Sequence, residues 1–425
     1  MQRKYDVIIF GASGYTGKFS IREGINILEG LNWAIAGRNK EKLENILHEV
    51  GNNVKADLSK IPIIIADVED EKSIKEMTAQ TKVIVNLCGP YYLYGEVVVK
   101  ACVDSATHHV DISGEPQFIE KMQLKYHDLA RERGIFIISA CGLESIPVDI
   151  GLNFMEEKFN GTLNSVESYL RIYMDKGSDQ SGANLNKGTL FSAIQVVANF
   201  FEMISLRRQL YQNPLPPLKP TLKNRLIHKQ TITNKSRWCI PLIEPDPSTV
   251  LRSQRYLYEN ENKRPVQVHS YLVLNKIYEV IGCMLIGFFI LLLSPLSFTR
   301  NLLFKFPEIF TFGVFCKDGP KEDKMDQTYF EVILFGNGWK EGTLNTNSIQ
   351  PVPTNKKIKI RVSGKNPAYG ATSVAILLSA RTILSEPTNM PQNGGVLGPG
   401  AAFKKTNLIK NLHRNGFTFE VLESE

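Results

Sequence analysis

Val7-Ile8-Ile9-Phe10-Gly11-Ala12-Ser13-Gly14-Tyr15-Thr16-Gly17 decides how this chain is read. The first four residues are apolar and mostly β-branched, as in a strand buried on both faces. Glycines at 11, 14 and 17 then give G-x-x-G-x-x-G, a variant of the dinucleotide-binding fingerprint. Gly11 lets the chain leave the strand in a tight turn. Gly14 lets backbone N–H groups approach a pyrophosphate, and Gly17 lets a helix pack close to the sheet. That helix presents its positive end to the phosphates. Gly11 to Gly17, including Ala12, Ser13, Tyr15 and Thr16, are therefore expected to cradle a dinucleotide. The plain alternative is a glycine-rich turn with no ligand.

Working outward, a second strand is expected over Asn32–Arg38. An NAD site usually ends this strand with an acid for the ribose 2′-hydroxyl, but here Gly37-Arg38-Asn39-Lys40 follows. An Arg can pair with a 2′-phosphate, so Arg38 and Asn39 favour NADP over NAD. Strand three covers Ile61–Asp67 and places Asp67-Val68 beside the adenine. Strand four, Val83–Pro90, ends in Cys88-Gly89-Pro90, where backbone lines the crevice. Helices are expected over 40–50, 71–78, 95–105 and 117–133, with strands five and six at His109–Glu115 and Ile135–Ser139. The alternation means an α/β fold with a doubly wound parallel sheet over residues 1–150.

Three further stretches carry a resemblance. Cys88-Gly89-Pro90-Tyr91 with Tyr94-Gly95-Glu96, Val110–Glu115, and Gly142-Leu143-Glu144-Ser145-Ile146-Pro147-Val148-Asp149 resemble the saccharopine dehydrogenase-like oxidoreductases. Gly370-Ala371-Thr372 and Gly394–Ala401 are similar to that family's C-terminal segment. The resemblance covers nearly the whole chain. It implies an N-terminal Rossmann-type domain, a second α+β domain over 151–352, and a segment 353–425 that returns to pack on the first. It also implies association with lipid droplets or intracellular membranes on their cytosolic face, and a role in lipid or glycolipid metabolism rather than in saccharopine chemistry. The related bacterial trans-acting enoyl reductases act on lipids. One departure is Gly142-Leu143-Glu144-Ser145, where the family pattern has Gly-Phe-Asp-Ser; an apolar residue and an acid are both kept.

At 425 residues the chain has room for about two or three domains. Its six scattered cysteines form no C-x-x-C pair, which argues against a zinc site or a disulfide framework. No leader is expected, since the first strand begins at once. The net charge of +7 is concentrated locally. Between Met203 and Ile243 stand eight basic residues, Arg207 to Arg237, and no acid. This segment, 207–237, suits an anionic surface or is simply a solvated loop face. After Asn164 the pattern changes. Val166–Tyr173, Val266–Leu274 and Thr328–Phe335 read as antiparallel strands, Gly182 to Gly188 as a loop, and Thr189–Leu206 as one helix.

Residues 280–299 hold twenty positions without a charge. A spanning helix needs about 20 apolar residues, but Pro295 breaks this one early. A hairpin or monotopic insertion into one leaflet is expected rather than a span. A buried core helix or an oligomer interface is the alternative. The expected partners are a lipid monolayer or membrane surface and a lipophilic small-molecule substrate, with no nucleic acid; a homodimer is compatible with the sequence.

Hydride transfer needs a proton donor near the nicotinamide. By position, Tyr91, Tyr94, Glu144 and Asp149 are the candidates, none in a diagnostic arrangement: no Lys follows Tyr94 at the fourth position. Glu115 is expected to cap or brace the loop after strand five. The histidines lack metal-ligand spacing. Two readings compete, an NADP-dependent oxidoreductase acting on a lipophilic substrate and a non-catalytic lipid-droplet or membrane scaffold that retains the fold. A soluble amino-acid dehydrogenase is disfavoured by the apolar segment.

Overall fold

The computed structural model describes residues 3–143, 145–174, 185–242, 246–316, 320, 322–342 and 352–425. Its first half alternates as β1 (Tyr5–Phe10), α1 (Tyr15–Ile27), β2 (Trp33–Gly37), α2 (Lys40–Val54), β3 (Ile63–Ile65), α3 (Glu71–Thr78), β4 (Thr81–Asn86), α4 (Tyr91–Asp104), β5 (His108–Asp111), α5 (Pro116–Glu132), β6 (Phe136–Ile138) and α6 (Ile146–Phe159). These strands are parallel and run β6-β5-β4-β1-β2-β3. The order reverses at β1, and the crevice above such a switch point is where open α/β sheets bind ligands.

The second half supplies β7 (Gly161–Met174), β8 (Leu185–Asn186), α7 (Lys187–Ala198), α8 (Phe200–Leu210), β9 (His228–Ile232), β10 (Lys235–Pro241), α9 (Asp246–Glu261), β11 (Gln267–Leu274), α10 (Ile277–Leu293), α11 (Ser297–Lys305), α12 (Pro307–Phe310), β12 (Phe315–Cys316), α13 (Glu322–Asp326) and β13 (Thr328–Lys340). The chain closes with β14 (Lys356–Lys365), α14 (Thr372–Ser385), β15 (Gly395–Leu397), α15 (Pro399–Ala402), α16 (Leu408–Arg414) and β16 (Thr418–Ser424). A second, mixed sheet runs β16-β14-β13-β7-β11-β10-β9. The C-terminal residues divide between the two sheets. β14 and β16 extend the second sheet, while β15 pairs with β6 at the edge of the first.

The two sheets share one core. Val148, Leu152 and Met155 of α6 pack with Val332, Leu334 and Val362 of the second sheet, in one cluster with Leu377 of α14 and Val83 and Val85 of the first. α14 is buried along nearly its whole length, its Ser and Thr side chains up to Thr382 included.

Several sequence expectations need correcting. α4 begins at Tyr91 rather than near 95, for a reason given below. The helix expected over 189–206 is two, α7 and α8, bent by 71°. Asn199 at the joint has non-helical dihedrals. The carbonyl of Val196, near the end of α7, accepts from Gln117 Nε2 at 2.8 Å, so a side chain of α5 takes up a helix-end acceptor. β11 pairs antiparallel with β10 but parallel with β7. The basic segment is not one loop, because its second half forms the β9–β10 hairpin. Of the loop expected over 182–188, residues up to 184 lie outside the described residues. Leu185 and Asn186 pair with β12, and α7 begins at Lys187.

Candidate functional site: a glycine-lined dinucleotide cleft

A cleft of about 260 Å³ opens at the C-terminal ends of β1, β2 and β4. Gly11, Ser13, Gly14, Arg38, Asp67, Val68, Cys88, Gly89 and Tyr94 line it. The glycines are needed where they stand. Gly11 has φ +83°, and a Cβ there would lie 2.9 Å from the Leu87 carbonyl carbon. At Gly17 a Cβ would sit inside contact distance of the Ala12 backbone, so α1 packs on its own turn. α1 starts at Gly14 with no side-chain cap and no acid in its first turn. Its first N–H groups therefore remain available to an anion.

Arg38 is exposed at the rim where β2 ends, and among the described residues no hydrogen bond or ion pair holds its guanidinium. Its charge reaches Cys88 across the cleft, where burial nevertheless pushes the thiol pKa up to about 11. An uncommitted Arg at this point suits a 2′-phosphate. Asn39 is committed to the fold instead, because its Oδ1 caps α2 by accepting from Lys42 N at 2.9 Å. Asp67 Oδ1 accepts from Glu69 N at 3.1 Å and shapes the turn at the cleft's edge after β3.

Other fingerprint residues are turned away from the cleft. Ala12 is fully buried. The Thr16 carbonyl accepts from Ser373 Oγ at 3.4 Å. Tyr15 packs edge-on against Tyr369 with ring centroids 4.4 Å apart, and its hydroxyl donates to the Pro320 carbonyl. The Tyr369 hydroxyl in turn accepts from Asn186 N at 3.1 Å. The fingerprint turn is thus clasped by residues more than 300 positions away. Nothing in the local sequence announces Tyr369; only the return of the C-terminal segment hints at it.

The opposite wall is α4. Glu115 is 1% exposed, and its carboxylate accepts from Tyr91 N at 3.2 Å, Tyr92 N at 2.7 Å and Ser192 Oγ at 2.8 Å. An acid satisfying the first N–H groups of a helix is a cap supplied from another element. It starts α4 at Tyr91, four residues earlier than the sequence suggests, and so Glu115 braces α4 rather than its own loop. Pro90 precedes that first turn as its cap residue.

This early start decides the proton-donor candidates. Tyr91 falls inward: its hydroxyl donates to the Asn86 carbonyl at 2.9 Å and its ring meets Phe118. Burial drives its pKa well above the usual value. Asp149 is buried between helices, where its Oδ2 accepts from Ser253 Oγ and Gly400 N, both at 2.6 Å; burial pushes its pKa up to about 6. Glu144 lies outside the described residues. Tyr94, one turn into α4, is the candidate that lines the cleft, and among the described residues no partner holds its hydroxyl. Deeper in the sheet, Asp111 accepts from Ser113 N at 2.9 Å and Ser139 Oγ at 2.7 Å, and burial raises its pKa to about 6. Among the described residues no cluster of acids, Cys and His could hold a metal.

A parallel doubly wound sheet, a glycine turn with an uncapped helix and a free rim Arg define a dinucleotide-binding protein. Residues 7–138 match the model of the saccharopine dehydrogenase NADP binding domain. The chain belongs to the saccharopine dehydrogenase-like oxidoreductases. It is 40% identical to the human protein of that name over 431 residues, covering 100% of this chain and 98% of the other. It is 35% identical over 435 residues to a Caenorhabditis elegans protein named lipid droplet localized protein, covering 99% of each. A probable mitochondrial saccharopine dehydrogenase-like oxidoreductase of Arabidopsis thaliana is 33% identical over 98% of this chain and 96% of its own. Among solved structures, apo saccharopine dehydrogenase (L-Glu forming) from Saccharomyces cerevisiae superposes with a TM-score of 0.57 at 12% identity, covering 99% of this chain and 100% of that one. That likeness shows the fold. NADP is the cofactor the family's domain binds.

Proposed function

We propose that this protein is an NADP-dependent oxidoreductase of lipid or glycolipid metabolism that works while seated on a lipid surface, facing the cytosol from a lipid droplet or intracellular membrane. When bound, the nicotinamide supplies or takes the hydride. The chain's own residues hold the phosphates at α1, hold the 2′-phosphate at Arg38, and place the Tyr94 hydroxyl where it can give or take a proton.

One observation carries the lipid reading. α10 turns its apolar side outward: Ile277, Ile281, Met284, Leu285, Phe288, Leu291 and Leu292 are all exposed, at helical spacing, and only Val280 is fully buried. A helix of a water-soluble surface shows the reverse pattern. The other side of α10 packs through Phe289 on Phe310, and through Ile290 and Leu293 on Leu190 of α7. Phe298, Ile309 and Phe312 extend the exposed apolar surface. At 17 residues α10 is about 26 Å long, short of a bilayer core, and the chain turns at Ser294–Leu296. That length favours insertion from one side. The one described helix long and apolar enough to cross, Pro367–Ser385, is mostly buried in the core. Exposed Arg208, Lys219, Lys223, Lys229 and Lys235 supply charge for anionic head groups.

The test combines two measurements on the full chain. Flotation with a phospholipid-coated triolein emulsion should carry the protein up, and Phe288→Asp with Leu292→Asp should leave it in the aqueous phase. Fluorescence titration should show micromolar NADPH binding in both forms. A floating double variant defeats the insertion idea. Failure of folded protein to bind NADPH supports the second reading, a scaffold retaining the fold. That reading draws on the commitment of Tyr91 and Asp149 to structural hydrogen bonds.

A further inference from the structure

Between α5 and α9, which are bridged by side-chain hydrogen bonds from Ser248 to Glu120 and from Arg252 to Gln123, stands a set of polar groups that the cofactor cleft does not use. Arg252 of α9 is 3% exposed. Its Nε donates to Gln123 Oε1 at 2.6 Å, but Nη1 and Nη2 have no partner. The hydroxyl of Tyr211, just beyond α8, is likewise buried and unpartnered. Arg255, one turn on in α9, stacks over the Tyr211 ring at 4.6 Å; its Nη1 donates to the Asn213 carbonyl at 2.7 Å and to Glu259 Oε1 at 3.0 Å, while its Nε is unpartnered.

The acids around this set are engaged elsewhere. Glu120 of α5 is fully buried and accepts from Arg207 Nε at 2.9 Å and Ser248 Oγ at 2.8 Å. Asp149 accepts at Oδ2 from Ser253 and Gly400, and its Oδ1 is buried without a partner. Among the described residues no carboxylate lies within 4.0 Å of the Arg252 guanidinium. Arginine does not shed its proton in proteins, so a buried guanidinium without a partner is costly and needs one. Burial already pulls its pKa down, and the carboxylates of Glu120 and Asp149 only partly offset that.

We propose that Arg252, Arg255 and Tyr211 form a buried recognition site for an oxyanion, a carboxylate or phosphate group. The donor set is suited to it: two guanidinium nitrogens in the fixed fork that matches two oxygens, a phenol on which both arginines act, and an unpartnered N–H of the second guanidinium, which stacks on that phenol's ring. A single water, which both donates and accepts, would add nothing to the partial compensation that Glu120 and Asp149 give the Arg252 charge. One turn earlier in α9, Thr249 Oγ1 lies 3.3 Å from Ser145 Oγ at the start of α6. The same oxyanion chemistry could come from a free phosphate or from the head group of an acidic amphiphile.

Thermal unfolding of the full chain, titrated with inorganic phosphate, octyl phosphate and octanoate, and with octanol as the uncharged control, separates these sources. Stabilisation by inorganic phosphate that Arg252→Met abolishes identifies a free-anion site. Stabilisation by octyl phosphate or octanoate alone, again lost in Arg252→Met, identifies an amphiphile head group. Tyr211→Phe keeps the charge and should weaken binding about tenfold, as expected for one hydrogen bond to a charged group. It also decides the matter if Arg252→Met loses its NADPH response and so proves misfolded. Octanol acting as well as the anions, no anion acting at all, or unchanged binding in Tyr211→Phe and Arg252→Met would overturn the proposal.

Discussion

Arg38 and Tyr94 both line the cleft, and the role proposed for each can be tested alone. Arg38→Glu places a negative charge where the 2′-phosphate is expected, so NADPH affinity should fall by about 100-fold, the loss of a charge-assisted pair, while NADH affinity changes little. Parallel fluorescence titrations measure the ratio, and equal losses would remove the Arg38 assignment. Tyr94→Phe should leave NADPH affinity within about threefold and lower turnover at least 100-fold, the span of general acid catalysis. Asp111 makes a different prediction. Burial raises its folded pKa from 3.8 to about 6, so the folded state binds the extra proton. Its contribution favours folding below about pH 4 and is lost as pH rises through about 6. The shift corresponds to about 3 kcal/mol. Asp111→Asn should therefore gain on the parent between pH 4 and 7, read by urea unfolding at both ends. The neighbouring His109, whose Nδ1 lies 3.7 Å from Asp111, is held neutral by burial, with its pKa lowered to about 3, and it is common to both proteins. At this scale the sequence was informative wherever a residue type is forced by backbone geometry, as at Gly11, and wherever a charge sits at a strand end, as at Arg38. It was silent where a side chain's partner lies far along the chain. Tyr91 and Tyr94 look equivalent in sequence, and the Glu115 cap, arriving from the start of α5, fixes the helix start that turns one inward and leaves the other in the cleft.

The elements show the same division. Strands β1 and β4 were legible because burial on both faces writes an apolar run into each, Val7–Phe10 and Val83–Val85, and turn residues bound them. The helical character of the 189–206 region was legible too, but not its bend at Asn199, next to which Gln117 of α5 takes the Val196 carbonyl from far along the chain. Pairing direction in the second sheet was misread because alternation reports one exposed face and says nothing about whether a neighbour runs parallel. α7 is the element where the apolar helices and the cleft meet. Leu190 and Ile194 pack with Leu303, and Ser192 between them bonds Glu115, which holds α4. Ser192→Ala removes one of the three hydrogen bonds on that buried carboxylate. It should destabilise the protein by about 1–2 kcal/mol and loosen the first turn of α4, seen as faster amide exchange at Tyr91 and Tyr92. Unchanged exchange at those amides would separate α7 from the cleft.

At the scale of the molecule, the resemblance pointed to a C-terminal segment that returns to the first sheet, but not to one that also builds the second. β15 finishes one sheet while β14 and β16 finish the other, and α14 lies in the core cluster common to both. Such an arrangement leaves neither half with a complete core of its own, since the apolar faces of α6 and α14 are buried only when both sheets are present. Unfolding should therefore be a single cooperative event, in contrast to a dinucleotide-binding domain that melts independently of a cap. Calorimetry should give one transition, and saturating NADPH should move all of it, although the cleft lies on the first sheet. Leu377→Ala empties a fully buried site in the shared cluster and should cost about 2–5 kcal/mol, lowering that one transition without splitting it. Two transitions, with NADPH shifting only one, would mean that the halves are separable and that the shared core is a contact between domains rather than the centre of one.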